Sequence, residues 1–310
     1  MREAAQSFEI AGADVGVRVD RFLAEHLGLS RTQIRRLLAE GGVRLAGRTL
    51  VARSKGVALR AGDRLEVDAY TPVASQRVLA QPELELAVLA RGPGWLALDK
   101  PAGVPVHPLA PGERGTILNA LIARFPELHG VGEGGLRSGV VHRLDVDTSG
   151  VLLVATEATS WQRLRAAFRE HRVKKCYRAL VDGYPEPGRV ELPLVVAGHR
   201  PAHVRVARPG ESAGGVRMTV TSWQVLERLC DASLVEVQPV TGYLHQIRAT
   251  FAHLGAPLLG DRRYAEPAVA ARAPRQMLHA ARLRFAEIEA EAPDPPDLRQ
   301  ARDELATASE

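Results

Sequence analysis

Strand-like and helix-like runs mix along this chain without any strict strand–helix–strand repeat. ILNALIARF and SWQRLRAAFREH carry helical spacing, whereas ELELAVLA, WLALDKP, VLLVA, CYRALVDG, MTVTSWQVLE and SLVEVQPV read as strands. A parallel sheet needs a long crossover, usually a helix, between neighbouring strands. The chain does not supply them regularly, so the expected second unit is an α+β domain with a mixed, largely antiparallel sheet. At 310 residues, with 45% hydrophobic and 25% charged, the chain has the composition of a globular protein and room for two domains. No stretch approaches the roughly 20 apolar residues of a membrane span, and the start MREAAQSFEIAG lacks the apolar centre of a signal peptide. A cytoplasmic protein with no membrane partner is therefore expected, and a monomer. Cys176 and Cys230 fit a reducing compartment and form no metal-ligand spacing.

Residues 1–70 read as a small α/β-ribbon unit. Asp20 is placed to cap a short helix, RFLAEHL, that Gly28 ends, and Ser30 with Gln33 forms a capping-box pattern for the next. That next helix, RTQIRRLLAE, puts Ile34, Leu37 and Leu38 on one apolar face and Arg31, Arg35 and Arg36 on the other. VRLAGRTL and DRLEVDAY follow as short ribbon strands. TPVASQRVLAQP, residues 71–82, reads as a linker, and residues 83–285 as the main domain. Residues 286–310 are proline-rich and acidic and read as a mobile tail. Eight acids against Arg299 and Arg302 give that tail −6, so the net +5 of the whole chain leaves +11 on residues 1–285. A basic body suits a polyanion such as nucleic acid, although a surface of solvated arginines would give the same charge.

The stretch VHRLDVDTSG, Val141–Gly150, sets Asp145 and Asp147 beside His142 and Arg143, directly before the apolar run VLLVA. A calcium loop of the EF-hand kind would need a bidentate glutamate where Thr156 stands, and it has Leu153 at the ninth position. A phosphatase of the haloacid-dehalogenase kind would need an apolar strand before the first aspartate, where His142 and Arg143 intervene. A single carboxylate acting at an electrophilic carbon is the third chemistry, and it needs a cation and partial desolvation to be effective. The loop alone leaves open a plain surface role, in which these residues cap strands and pair with one another. His142, His245 and His253 match no zinc spacing and read as structural, and no glycine fingerprint for a dinucleotide is present.

Two resemblances sharpen this reading. Arg18-Val19-Asp20-Arg21-Phe22-Leu23, Leu29-Ser30-Arg31-Thr32-Gln33-Ile34, Leu37-Leu38 and Val43-Arg44-Leu45-Ala46-Gly47-Arg48 resemble the S-four-type RNA-binding domain. That resemblance implies that Arg31, Arg35 and Arg36 face RNA. Across Leu84–Phe285 the chain resembles the RluA-type pseudouridine synthases. The matching segments, in the family's order, begin with Lys100-Pro101-Ala102-Gly103 through His107-Pro108 and with His142-Arg143-Leu144-Asp145. Lys175-Cys176-Tyr177-Arg178-Ala179-Leu180-Val181 and His245-Gln246-Ile247-Arg248 follow, then Gly255 to Asp261 with Tyr264, and Gln276-Met277-Leu278-His279-Ala280.

The second resemblance implies an isomerase that breaks a uridine's glycosidic bond, turns the base and rejoins it through carbon 5. Asp145 is then the catalytic carboxylate, Tyr177 stacks on the base and takes part in proton transfer, and Arg248 pairs with Asp145. Ile247 walls the pocket, Arg143 fills the space of a flipped base, and His142 joins the substrate-binding residues. Asp147 is expected to fix the loop through Thr148 and Ser149. An isomerisation requires no cofactor or metal. The implied partner is RNA, ribosomal RNA first and transfer RNA second, with the uridine flipped out of its stack. Two positions depart from the family pattern: Tyr243 stands where an arginine is usual, and Thr250 where a histidine is common. A non-catalytic RNA-binding or ribosome-assembly protein that keeps the fold is the alternative.

Overall fold

The computed structural model describes residues 3–29, 31–72, 75–199, 202–211 and 215–308. The chain divides into two compact units, Met1–Arg77 with Gly134–Leu136, and Val78–Glu133 with Arg137–Glu310.

In the first unit β1 (Gln6–Glu9) is followed by α1 (Val19–Leu27) and α2 (Arg31–Ala39), then by β2 (Val43–Leu45), β3 (Arg48–Thr49) and β4 (Arg64–Val67). The four strands make an antiparallel sheet in the order β1-β4-β2-β3. Phe22, Leu23, Ile34, Leu38 and Leu65 are buried together at its centre. Each such side chain contributes about 1.5–3 kcal/mol when fully withdrawn from water. Gly28 ends α1 in the left-handed conformation, φ 62°, that glycine adopts without strain. Asp20 does not cap this helix: Arg18 holds the N-cap position, and Asp20 lies inside the first turn, paired with Arg18 at 2.7 Å. The capping residue expected at Ser30 lies outside the described residues.

The second unit opens with β5 (Ala87–Gly92), β6 (Trp95–Lys100), α3 (Ile117–Arg124), β7 (Ser149–Ala155) and α4 (Ala158–Arg169). β8 (Lys174–Asp182), β9 (Gly188–His199), β10 (Ala202–Val206), β11 (Arg217–Leu229) and β12 (Ala232–Pro239) come next, then α5 (Gln246–His253) and α6 (Pro267–Ala270). β13 (Leu278–Phe285), β14 (Ile288–Glu291) and α7 (Pro296–Thr307) complete it. The sheet runs β10-β9-β11-β12-β8-β13-β7-β6-β5, with β14 added on β13. Among the described residues every pairing in it is antiparallel except β7 with β13. The mixed, largely antiparallel α+β architecture is the one the apolar runs indicate.

All seven residues of β7 are buried. Gly150, φ 106°, lets β13 come close, since a Cβ there would stand 2.3 Å from the Ala280 carbonyl oxygen. This junction fixes the end of β7 from which the Val141–Thr148 loop departs.

Two expected boundaries move. The second half of the linker is packed: Val78 and Gln81 are buried, and Asn119 Nδ2 donates to the Leu79 carbonyl at 2.8 Å. The segment read as a mobile acidic tail is folded. β14 continues the sheet, and α7 lays Leu298 and Ala301 against Leu180, Leu229, Leu259 and Met277. Composition favoured disorder, but the apolar stripe of one helical face supplies enough burial to order the segment.

Candidate active site

The loop before β7 is held through its backbone. Val141 and Leu144 are buried, and the Thr148 N–H donates to the Asp145 carbonyl at 3.1 Å, closing a tight turn around Val146 and Asp147. From α4, Trp161 Nε1 donates to the Val140 carbonyl and Arg165 Nη1 to the Val141 carbonyl, both at 3.0 Å. Lys100, fully buried at the end of β6, spends its three ammonium protons on the carbonyls of Pro101 at 2.7 Å, Val104 at 2.8 Å and Val146 at 2.8 Å. Burial pushes its pKa down to about 7, while Asp147 draws it up. The carbonyls on either side of Asp145 are therefore tied to separate elements, and the carboxylate projects from a rigid turn.

That carboxylate, 19% exposed, meets Arg248 from α5: Nη1 donates to Asp145 Oδ2 at 2.9 Å. Arg248 is itself clamped from behind by Asp261, which no solvent reaches, through Nε to Oδ2 at 2.7 Å and Nη2 to Oδ1 at 2.8 Å. Its guanidinium lies 5.0 Å from the centre of the Tyr264 ring. Burial alone would lower the Arg248 pKa, but its hydrogen bonds with Asp261 and the charges of Asp261 and Asp145 outweigh this and hold it above its ordinary value. A permanent cation bound to two carboxylates is the field that a reactive aspartate requires.

Tyr177 on β8 belongs to an apolar cluster with buried Ile247 and Phe251. Burial, and then the charge of nearby Asp145, push its phenol above the ordinary range, so it is neutral in the free protein. Asp145, Tyr177, Arg248 and Ile247, drawn from a loop, a strand and a helix, form one constellation: a charged end at Asp145 and Arg248 and an apolar wall at Tyr177 and Ile247.

Other expected residues stand elsewhere. His142 does not face the site. Its Nε2 accepts the Leu153 N–H at 2.8 Å and its ring stacks on Phe168 at 4.5 Å, and burial pushes its pKa down to about 3. It braces the loop against β7 and α4 as a neutral ring, because the only hydrogen-bond acceptor it offers is already used. Arg143 is exposed and makes no ion pair among the described residues, so no Arg143–Asp147 pair forms there. The Asp147 side chain is exposed and does not fix the loop through Thr148 and Ser149; backbone groups and distant donors do that.

Arg31, Arg35 and Arg36 lie in the first unit and divide there. Arg31 and Arg35 line a cleft of about 680 Å³ with Arg18, Arg21 and Lys55, whereas Arg36 is tied to Glu40 at 2.7 Å. Tyr243, at the usual arginine position, packs with Leu244 and Tyr264 against Leu192 and Val204. Thr250 is fully buried and its hydroxyl has no hydrogen-bond partner among the described residues.

Residue-by-residue reading missed three contributors. Asp261 stood in a matched segment with no role attached. Tyr264 accepts the Val204 N–H at 2.8 Å, which directs its own hydroxyl proton to His245 Nδ1 at 2.9 Å. His245, read as merely structural, caps α5 from the left-handed region, φ 50°, with Nε2 3.8 Å from Asp145 Oδ2. Burial pushes its pKa down to about 4 against the pull of Asp145. No sequence pattern marked a role for these residues; the positive φ of His245 is visible only in the folded chain.

Comparison with known proteins agrees with this geometry. The RNA pseudouridylate synthase family model matches residues 94–253, a span that includes the Val141–Thr148 loop, Tyr177 and Arg248. An uncharacterized RNA pseudouridine synthase of Synechocystis is 37% identical over 278 residues, 88% of this chain and 83% of its own length. The ribosomal large subunit pseudouridine synthase D of Zymomonas mobilis is 34% identical over 281 residues, 87% of this chain and 86% of its own. Among solved structures, human RNA pseudouridylate synthase domain containing 1 superposes with a TM-score of 0.57 at 28% identity, covering 72% of this chain and 94% of its own. The chain belongs to the RNA pseudouridylate synthase family.

Proposed function

We propose that this enzyme isomerises uridines of large-subunit ribosomal RNA to pseudouridine, with Asp145 as the reacting carboxylate. The observation that carries this reading is the Asp145–Arg248 pair at 2.9 Å, backed by buried Asp261 and facing the apolar wall of Tyr177 and Ile247. The choice of RNA follows the relative named for ribosomal large-subunit modification. Against a non-catalytic binding protein stands the cost of the site, because a buried arginine with two carboxylates is expensive to keep without chemical use.

A uridine stacked in a helix cannot reach a recessed carboxylate, so the base is flipped out and lies against Tyr177 and Ile247. The bond from the sugar C1′ to N1 breaks and the base keeps the electron pair. Asp145 serves either by bonding to C1′ or by removing a sugar proton to give a glycal. Arg248 holds one carboxylate oxygen and leaves the other free to react. The base turns and C1′ bonds to carbon 5 as the Asp145–C1′ bond breaks or, in the glycal route, as Asp145 returns its proton to C2′. The carbon 5 proton leaves and N1 takes one up, so atoms balance with no cofactor. Tyr177, neutral in the free protein, enters as a stacking phenol and hydrogen-bond donor before any proton transfer. Exposed Arg143 is free to enter the space vacated by the base.

The first unit, read as an S-four-type RNA-binding domain, contributes RNA affinity through Arg31 and Arg35 in their cleft. The reading places the enzyme in the cytoplasm as a monomer. No helix among the described residues is long and apolar enough to cross a membrane. The test is pseudouridine mapping of ribosomal and transfer RNA after incubation with the purified protein. Asp145→Asn is expected to abolish product while RNA binding persists. Product formed by Asp145→Asn refutes the catalytic assignment, and product confined to transfer RNA refutes the substrate.

A further inference from the structure

Arg275, 9% exposed, sits just before β13 and makes bonds in two directions. Toward α7 it grips Asp297 with a two-pronged fork, Nε to Oδ2 at 2.7 Å and Nη2 to Oδ1 at 2.9 Å. Toward the catalytic loop Nη1 donates to the Asp147 carbonyl at 2.9 Å and Nη2 to Ser149 Oγ at 3.3 Å. A second link runs parallel. Ser149 Oγ bonds His279 Nδ1 at 2.9 Å, and His279 Nε2 faces the Ala292 carbonyl at 3.3 Å. Asp147 and Ser149 bracket the end of the turn that carries Asp145, so both links reach the reacting carboxylate through its own backbone.

α7 does not need Asp297 in order to be anchored, because Leu298 and Ala301 already bury their side chains against the sheet. Asp297 adds direction. It fixes the plane of the Arg275 guanidinium, and a planar fork fixed on one edge aims its remaining N–H groups along set lines. Without the carboxylate Arg275 keeps the carbonyls of Gln276 and Leu278 as acceptors, at 3.0 and 3.2 Å, and its guanidinium is free to turn toward them.

We propose that Arg275 and Asp297 are positioning residues for catalysis: the helix after the sheet locks the Asp147–Ser149 end of the turn and thereby sets Asp145 against Arg248. The inference rests on Asp145 being the reacting carboxylate. It gives the acidic C-terminal segment a part in the reaction although none of its residues approaches Asp145.

The experiment compares Asp297→Ala, Asp297→Asn, Arg275→Lys and Arg275→Ala with the parent on ribosomal RNA, well below the lowest melting temperature. Arg302→Ala is the control, since Arg302 lies on the same helix but pairs with Glu227 at 2.6 Å. A loosened turn lowers kcat by on the order of tenfold to a hundredfold, with KM and RNA affinity unchanged. Arg275→Lys is expected to retain more kcat than Arg275→Ala, and Arg275→Ala combined with Asp297→Ala to be no worse than Arg275→Ala alone. Arg302→Ala keeps the parent's kcat. Should the arginine variants fail to fold, the two Asp297 variants carry the test. A kcat equal to the parent's in both Asp297 variants, whatever their melting temperature, overturns the proposal, as does a loss expressed only in KM. If Asp145→Asn is inactive while both Asp297 variants are fully active, this inference alone fails and the assignment of Asp145 stands.

Discussion

Replacing Asp261 with asparagine removes one negative charge from behind Arg248 and almost no volume. The orientation of the new amide is dictated by the backbone. Asp261 Oδ1 accepts the N–H groups of Arg263 at 3.0 Å and Tyr264 at 3.2 Å, so the amide oxygen must take that place. The NH2 group then replaces Oδ2 and points at Arg248 Nε, which now lies 2.7 Å away as a donor. Two donors face each other in a space that water does not enter. Breaking a buried pair from one side costs about 3–5 kcal/mol, and the retained amide oxygen argues for the lower end. At about 2–4 °C per kcal/mol for a domain of this size, a 3 kcal/mol loss lowers Tm by about 6–12 °C. Arg248 also loses one of its two rear bonds and shifts toward Asp145, and a displacement of the order of 1 Å costs about a hundredfold in rate. Thermal unfolding by circular dichroism measures the first effect, and single-turnover pseudouridine formation at a temperature where the variant is folded measures the second. A variant that melts with the parent and reacts at the parent's rate refutes the role of Asp261 in holding the Asp145–Arg248 pair.

His142 is expected to make the fold acid-sensitive. Its pKa falls from 6.5 to about 3 on folding, so the unfolded chain takes up the proton first and stability is lost as pH drops below 6.5. At pH 5 this amounts to about 2 kcal/mol. Urea unfolding at pH 7 and pH 5 should show His142→Gln losing less between the two than the parent, and equal losses would count against a neutral, buried ring. In the first unit, Arg31→Ala with Arg35→Ala should weaken RNA binding and reduce its salt slope by about 2. Arg36→Ala, removing a side chain already paired with Glu40, should do less, and an equal effect of all three would refute the division.

The largely antiparallel sheet was legible because strands such as VLLVA and SLVEVQPV announce themselves by apolar alternation or run length. β9 was missed because Pro193 stands in the middle of ELPLVV, where a proline argues against a strand. Pro193 lies just past the end of the β9 ladder with β10, so its missing N–H breaks no pairing there. α7 was hidden by composition. Leu298, Ala301 and Leu305 repeat at helical spacing within an acidic, proline-rich stretch, and that spacing outweighs net charge once a sheet is there to receive it. Asp145, Tyr177, Arg248 and Ile247 could be named through resemblance, and the structure assembles them. What no local pattern could reveal is which distant groups hold the loop. Asp261, Lys100 and Arg275 act on backbone or on another side chain, and such contacts leave no periodicity. His142, structural by its spacing but substrate-binding by resemblance, packs on Phe168 and accepts a bond from β7.

The one parallel seam among the described residues, between β7 and β13, sets a timetable for the enzyme's birth. Ser149 waits for His279, 130 positions later, Asp147 for Arg275, 128 later, and Asp145 for Arg248, 103 later. During synthesis at roughly 5–20 residues per second, about 6–26 s pass between the appearance of the loop and that of Arg275. Contacts so far apart in sequence are also slow to close, because the intervening chain must first be ordered. The arginine-bearing helices, by contrast, pack against a sheet whose last strand ends at Val67. A chain still on the ribosome therefore completes its first unit, with Arg31 and Arg35 in their cleft, well before Asp145 meets Arg248.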